Sequence, residues 1–363
     1  MPVKLVRDCV LRLRPYVPGK PIEEVERELG ITNIIKLASN ENPLGPSPMA
    51  VAAMTKALHD VGLYPDGNCY KLRQAVAKHL GVESDQLIFG CGSDEIIHYI
   101  ALAFLAEGDE IIQGSPTFVQ YETAATLCNC KTHSVPLRNL TYDLDAMSEY
   151  INNRTKLVFI ANPNNPTGTM VTHSEIEKLL SKLPERCLLV LDEAYYEYVE
   201  RSDYPNALKL ISQNKNVIAL RTFSKLYALA GLRVGYGVAK ADIIKYLEQV
   251  RAPFNVNSVA QVGAIASLED SDHADRSKKL NSAGKQYLYS EFDRMGLLYT
   301  PSEANFIFVD IGRDSVQVFK DLLKCGVIVR TGDIFGTPTH IRVTIGTTEQ
   351  TERFIKALKG VLS

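Results

Sequence analysis

The sequence carries no excess of either charge, since 40 lysines and arginines face 42 aspartates and glutamates. No basic stripe marks nucleic acid or an anionic membrane as the main partner, so a small-molecule ligand is expected. The seven cysteines are odd in number, scattered, and include no Cys-x-x-Cys pair, which argues against both a disulfide framework and a zinc site. They read as reduced thiols of a cytoplasmic protein. No apolar run approaches the roughly 20 residues needed to span a bilayer. Residues 1–20 interrupt their apolar positions with Lys4, Arg7, Asp8, Arg12 and Arg14, unlike the continuous apolar stretch of a signal peptide. Internal repeats, low-complexity tracts and long Gly/Ser linkers are also missing, so two domains sharing an interface are expected rather than freely swinging ones.

What is present is enough apolar material for two cores, with 45% hydrophobic residues over 363 positions. The first 35 residues, with Pro15, Pro18, Gly19 and Pro21 ahead of a charged segment, read as an extended arm and a short helix. From residue 36 to about 250, short apolar runs alternate with amphipathic stretches, the pattern of an α/β domain with a mostly parallel central sheet in three layers. Residues 87–89, 157–161, 188–191 and 217–220 are apolar at consecutive positions, which predicts central strands covered by helices on both faces. Residues 251–363 change texture and read as a smaller α+β domain, with strands at 306–310, 327–330 and 341–345 around a helix at 315–324, completed by the N-terminal arm.

In open α/β sheets ligands bind beyond the carboxyl ends of the strands, so the residues following each apolar run carry the functional information. After 87–89 comes Gly90-Cys91-Gly92-Ser93-Asp94, a turn whose free N–H groups suit a phosphate at a helix N-terminus, or equally a plain tight turn. After 157–161 comes Asn162-Pro163-Asn164-Asn165-Pro166-Thr167-Gly168; a turn accounts for the prolines and glycine, but less obviously for three asparagines. After 188–191 comes Asp192-Glu193-Ala194-Tyr195, a carboxylate where burial without a partner is costly. It is either an ion pair or cap, or the partner of a cationic ring nitrogen. After 217–220 come Thr222, Ser224, Lys225 and, eight residues on, Arg233: two hydroxyls and a guanidinium suited to a phosphate dianion, with a lysine as candidate nucleophile. A free lysine is mostly protonated at neutral pH, so such a role demands burial or nearby positive charge, and Arg233 is the expected source of the charge.

Together these segments resemble the fold type I pyridoxal-phosphate enzymes, specifically the class II aminotransferases, over essentially the whole chain. The resemblance implies that Lys225 holds pyridoxal 5'-phosphate as a Schiff base and shuttles protons, that Asp192 pairs with the ring nitrogen, and that Asn165 and Tyr195 contact the ring oxygen. It implies a phosphate cup of Gly92, Ser93 and Asp94 with Thr222, Ser224 and Arg233, and Phe118 stacked on the ring where relatives often have Tyr. Within the class, Arg14-Pro15-Tyr16-Val17-Pro18-Gly19, Lys36-Leu37-Ala38-Ser39-Asn40-Glu41-Asn42-Pro43, Tyr64-Pro65-Asp66-Gly67 and Ile341-Arg342-Val343-Thr344-Ile345-Gly346 are similar to the branch acting on histidinol phosphate. That branch exchanges an amino group with glutamate and 2-oxoglutarate, and some members accept aromatic amino acids. Tyr16, Arg330 and Arg342 are then implied to bind the acidic ends of the substrates, and Asn40, Phe254 and Asn255 to line the substrate pocket. Tyr64 is implied to reach the cofactor phosphate of a partner subunit in a homodimer. Strand alternation separately puts Arg342 on the face opposite Ile341, Val343 and Ile345. The competing readings are an aromatic amino-acid aminotransferase and a threonine-phosphate decarboxylase.

Overall fold

A computed structural model describes residues 5–15 and 19–363. Among them are thirteen strands: β1 (Ile35–Lys36), β2 (Leu87–Gly90), β3 (Glu110–Ser115), β4 (Lys131–Pro136), β5 (Thr155–Ala161), β6 (Leu188–Asp192), β7 (Val217–Thr222), β8 (Gly235–Val238), β9 (Leu298–Thr300), β10 (Phe306–Asp310), β11 (Val327–Ile328), β12 (Arg330–Thr331) and β13 (His340–Thr344). Seven form the main sheet in the order β2-β8-β7-β6-β5-β3-β4. Its pairs are parallel except for β8, which runs antiparallel to both β2 and β7.

The consecutive apolar residues of these strands divide between two cores. Leu189, Leu191, Val217 and Ala219 enter the core on one face, while Leu188, Val190, Ile218 and Leu220 enter the core on the other. This is the two-faced burial expected of a sheet sandwiched between helices. One expectation fails: residues 87–89 form an edge strand, not a central one. They are nonetheless fully buried, which is why they read as central.

The smaller sheet is antiparallel, in the order β12-β13-β10-β9. Ile341, Val343 and Ile345 pack into its core with Leu288, Phe292 and Ile307, which leaves Arg342 on the opposite face as strand alternation requires. The expected strand over 327–330 is two short ones, because β11 pairs with β1 while β12 pairs with β13. Val25, on the helix Ile22–Leu29, shares a core with Leu323 and Ile328, so the N-terminal segment completes this layer.

Residues 251–269 depart from the expected partition at 250. The helix Ser258–Glu269 packs on the helices Pro48–Ala57 and Tyr70–Leu80, and Val256, Ala260 and Ala264 belong to a core of the main sheet. The change of packing partner falls within the long helix Ser271–Met295, where Ala274 touches the large core and Leu288 and Phe292 the small one. Among the described residues no helix is long and apolar enough to cross a membrane.

Candidate active site

The chain adds β4 on one side of β3 and then β5, β6 and β7 in turn on the other, so the strand order reverses at the β3/β5 pair and opens a crevice at the carboxyl ends of these parallel strands. A cavity of about 220 Å³ occupies it, and Asn165, Asp192, Thr222, Ser224, Lys225 and Arg233 all border it. Phe118, which follows β3, also lines it, as do Asn40, Arg330 and Arg342 from the other side. Four cationic side chains and two carboxylates, Asp94 and Asp192, face one small space. That balance suits a ligand with net negative charge.

Lys225 sits just beyond β7, partly buried, with its Nζ donating to the Ser39 carbonyl at 3.2 Å. Burial lowers its pKa from the ordinary value of 10.5 to about 8. Arg342 is the next cause and Arg233 only a lesser one, so the second sheet supplies the charge expected from the neighbouring loop. A nucleophilic amine at accessible pH follows from this placement.

Asp192 continues the face of Leu188 and Val190 and is buried. Burial raises its pKa to about 6, while the Tyr121 hydroxyl, donating to Oδ2 at 2.6 Å, works in the opposite direction. The backbone N–H of Ala194 donates to Oδ1 at 3.2 Å. The ion pair allowed for at the sequence level is absent from this carboxylate among the described residues. Its neighbour Glu193 has one instead, with Arg221 Nε at 2.9 Å.

The phosphate-type cup rests on close backbone approach. Gly92 caps the helix Ser93–Phe104 with φ +77, and a Cβ there would lie 2.6 Å from Arg233 Nη2. A Cβ on Gly235 would lie 2.5 Å from the Ser93 nitrogen. Arg233 has φ +58, donates from Nη1 to the Ala230 carbonyl at 3.0 Å, and has Nη2 3.7 Å from Asp94. Thr222 Oγ1 donates to Ser224 Oγ at 3.0 Å. N–H groups, two hydroxyls and a guanidinium thus converge at a helix N-terminus, the combination that holds phosphate.

The three asparagines have different tasks. Asn162 bridges Val171, donating to its carbonyl at 3.1 Å and accepting from its N–H at 2.8 Å, and Asn164 bonds Thr117, Tyr142 and Thr167. Both are turn-forming, so the turn accounts for two of the three. Only Asn165 faces the cavity, where its Oδ1 accepts from Arg342 Nη1. Arg342 also donates to the Ala38 carbonyl at 2.6 Å. Arg330 lies directly across from Arg342 in the β12/β13 register.

Tyr195 is buried, accepts from Asn40 Nδ2 at 2.9 Å, and has its pKa raised to about 12 by burial. Asn40, at φ +56, exchanges further bonds with Thr344 and so ties the N-terminal segment to β13. Two residues expected at the pocket lie elsewhere. Phe254 stacks on Tyr64, with ring centroids 4.8 Å apart, and Asn255 spends its amide on the Phe89 carbonyl and Glu95. Neither is among the described residues lining the cavity. Tyr64 is 84% exposed and is not among the described residues lining its own chain's cavity. Tyr16 lies outside the described residues. Tyr121, on the helix Gln120–Leu127, also lines the cavity, as do Ser39 and Gly19; sequence reasoning assigns Tyr121 no role and includes the other two only within longer segments.

Residues 32–358 match the family model described as aminotransferase class I and II. The chain is 56% identical, over 98% of its length and 93% of the relative's, to a histidinol-phosphate aminotransferase of Moorella thermoacetica. It is 48% identical, over 99% of its length and all of the relative's, to a histidinol-phosphate aminotransferase of Caldicellulosiruptor saccharolyticus. Among solved structures it is similar to the histidinol-phosphate aminotransferase of Sinorhizobium meliloti in complex with pyridoxal-5'-phosphate, with a TM-score of 0.91 and 27% identity over 99% of this chain and 97% of that one.

Proposed function

This chain belongs to the class I and II aminotransferases, and from that premise we propose that it moves an amino group between L-histidinol phosphate and 2-oxoglutarate in histidine biosynthesis. The reaction runs in two stages, with glutamate leaving its nitrogen on the enzyme and the imidazole-acetol phosphate taking it up. Pyridoxal 5'-phosphate fits the residues present: the Gly92/Gly235 close approach leaves a backbone cup for its phosphate, and a partly buried amine and a buried carboxylate face the same cavity. When bound, that group supplies an aldehyde and an electron-withdrawing ring.

Lys225 would hold the group covalently through its Nζ, and the same Nζ would be the base that takes and returns the substrate α-proton. Its pKa of about 8, lowered by burial, leaves roughly a tenth of the amine neutral at pH 7, far more than for a free lysine. Asp192 would hold a proton on the ring nitrogen, whose positive charge in turn favours the ionised carboxylate that burial opposes. Asn165 and Tyr195 would bond the ring oxygen; Tyr195 accepts from Asn40, which leaves its own phenol proton for the cavity. Gly92, Ser93 and Asp94 with Thr222, Ser224 and Arg233 would hold the phosphate, and Phe118 would pack on the ring face. Arg330 and Arg342 would receive the acidic end of each substrate, aided by Tyr16. Tyr64 would act across a homodimer interface, and the enzyme would work in the cytoplasm.

The observation carrying this reading is the convergence of Lys225 and Asp192 with the paired arginines of β12 and β13 on one cavity. The protein loaded with pyridoxal phosphate is expected to change its visible absorption when glutamate or histidinol phosphate is added, and Lys225→Ala to lose turnover. No spectral change with either compound overturns the reading. A higher kcat/KM for phenylalanine than for histidinol phosphate, or carbon dioxide released from threonine phosphate, moves the substrate assignment elsewhere.

A further inference from the structure

Tyr121 belongs to the helix Gln120–Leu127 and is fully buried, yet its hydroxyl faces the cavity wall instead of solvent. Its ring lies flat on Phe159, with centroids 4.7 Å apart and planes 13° off parallel, and meets Phe118 edge-on at 5.7 Å. Phe159 is the β5 partner of Val190, two residues before Asp192 on the same face of the sheet. The aromatic clamp therefore fixes where the hydroxyl points, and it points at Asp192 Oδ2, 2.6 Å away. Burial and the adjacent Asp192 push the phenol pKa well up, so the hydroxyl remains a donor.

We infer that Tyr121 is a positioning residue: its hydroxyl holds the Asp192 carboxylate in one orientation and in its ionised form, ready for the cofactor's ring nitrogen. The inference rests on the assignment of Asp192 proposed above. A buried carboxylate with a backbone N–H at 3.2 Å and no cation on it, among the described residues, has one strong partner in the protein, and Tyr121 is that partner. Deleting the hydroxyl while keeping the ring leaves the clamp intact and makes protonation of Asp192 easier. Asp94 on the helix Ser93–Phe104, Glu193 and Tyr195 on the same segment as Asp192, Tyr142, and the cavity-lining Lys225 and Arg342 also surround the carboxylate. All are shared by wild type and variant, so a difference between the two reports the hydroxyl.

The test uses cofactor-free wild type, Tyr121→Phe and Asp192→Asn, each titrated with pyridoxal phosphate from about pH 5.5 to 8.5 and melted in parallel. Tyr121→Phe is expected to bind roughly tenfold more weakly at neutral pH, the weight of one hydrogen bond to a charged group. The pH below which binding weakens is expected to lie higher than in wild type. Asp192→Asn is expected to bind weakly at every pH. If Asp192→Asn binds as well as wild type, the assignment of Asp192 fails and the role of Tyr121 fails with it. If Asp192→Asn is impaired while Tyr121→Phe matches wild type in affinity and pH midpoint, the positioning role alone is overturned. A Tyr121→Phe loss that is equal at all pH values and accompanied by a lowered melting temperature also overturns it, in favour of a structural role.

Discussion

At the scale of single residues, the cavity holds a carboxylate that works against the fold. Asp192 has its pKa raised to about 6 by burial. A raised acid pKa means that its contribution to stability is fully present below its unfolded value near 3.8 and is lost as pH rises through about 6. Above that pH the cofactor-free protein carries an ionised group in a poorly solvating site. Asp192→Asn keeps an oxygen for Tyr121 and removes the charge. The cofactor-free variant is therefore expected to be more stable than wild type at pH 8, by on the order of 2 kcal/mol, and to lose that advantage on acidification below about 6. Thermal unfolding at both pH values checks this; equal melting temperatures at pH 8 contradict it. The position of Asp192 was legible because an apolar run ended in an acid. Its donor Tyr121 was not, because contact across a sheet and a helix has no fixed sequence spacing.

At the scale of elements, the legible strands were those buried on both faces, and the illegible ones had reasons to look otherwise. β8 carries Gly235 and Gly237, and a Cβ on Gly237 would lie 2.9 Å from Ile88 Cγ2, so close strand packing selects glycines that read as a turn. β4, Lys131–Pro136, is an edge strand of largely polar residues and lacks the apolar run. β3 has Gly114 next to its last residue, where a Cβ would overlap the Tyr142 ring. Of these, Gly235 also builds the cup, through its approach to Gly92 and Ser93. Gly235→Ala would press a methyl against the Ser93 nitrogen at 2.5 Å and the Gly92 carbonyl carbon at 2.8 Å, which are backbone atoms that cannot rotate away. It is expected to cost about 1–3 kcal/mol of stability and to weaken pyridoxal phosphate binding through the displaced N–H groups. Gly231→Ala, whose Cβ meets nothing within 4 Å, is the control expected to leave binding unchanged. Melting temperatures and cofactor titrations of the two variants decide it, and a Gly235→Ala protein that binds like wild type removes the cup from the phosphate site.

At the scale of the whole molecule, one stretch of surface is hard to explain in a lone chain. Leu58, Val61 and Leu63 are 55%, 58% and 74% exposed, and beside them Tyr64 stacks on the half-exposed Phe254. Apolar side chains gathered in this way mark a surface that another protein covers. On the homodimer proposed above, a second copy of this chain would cover it and give Tyr64, which does not line its own chain's cavity, a task in the cavity opposite. That arrangement has a consequence no monomer shares. Tyr64→Ala chains keep Lys225 but would lack the tyrosine in each other's sites, and Lys225→Ala chains keep the tyrosine but lack the amine. In a mixed dimer, the cavity with the intact Lys225 receives Tyr64 from the other chain, while the second cavity has neither. When the two variants are unfolded together, refolded and supplied with pyridoxal phosphate, activity is expected to exceed the sum of the separately refolded proteins. If Tyr64 served its own chain, or if the chains stayed apart, the mixture would show only that sum.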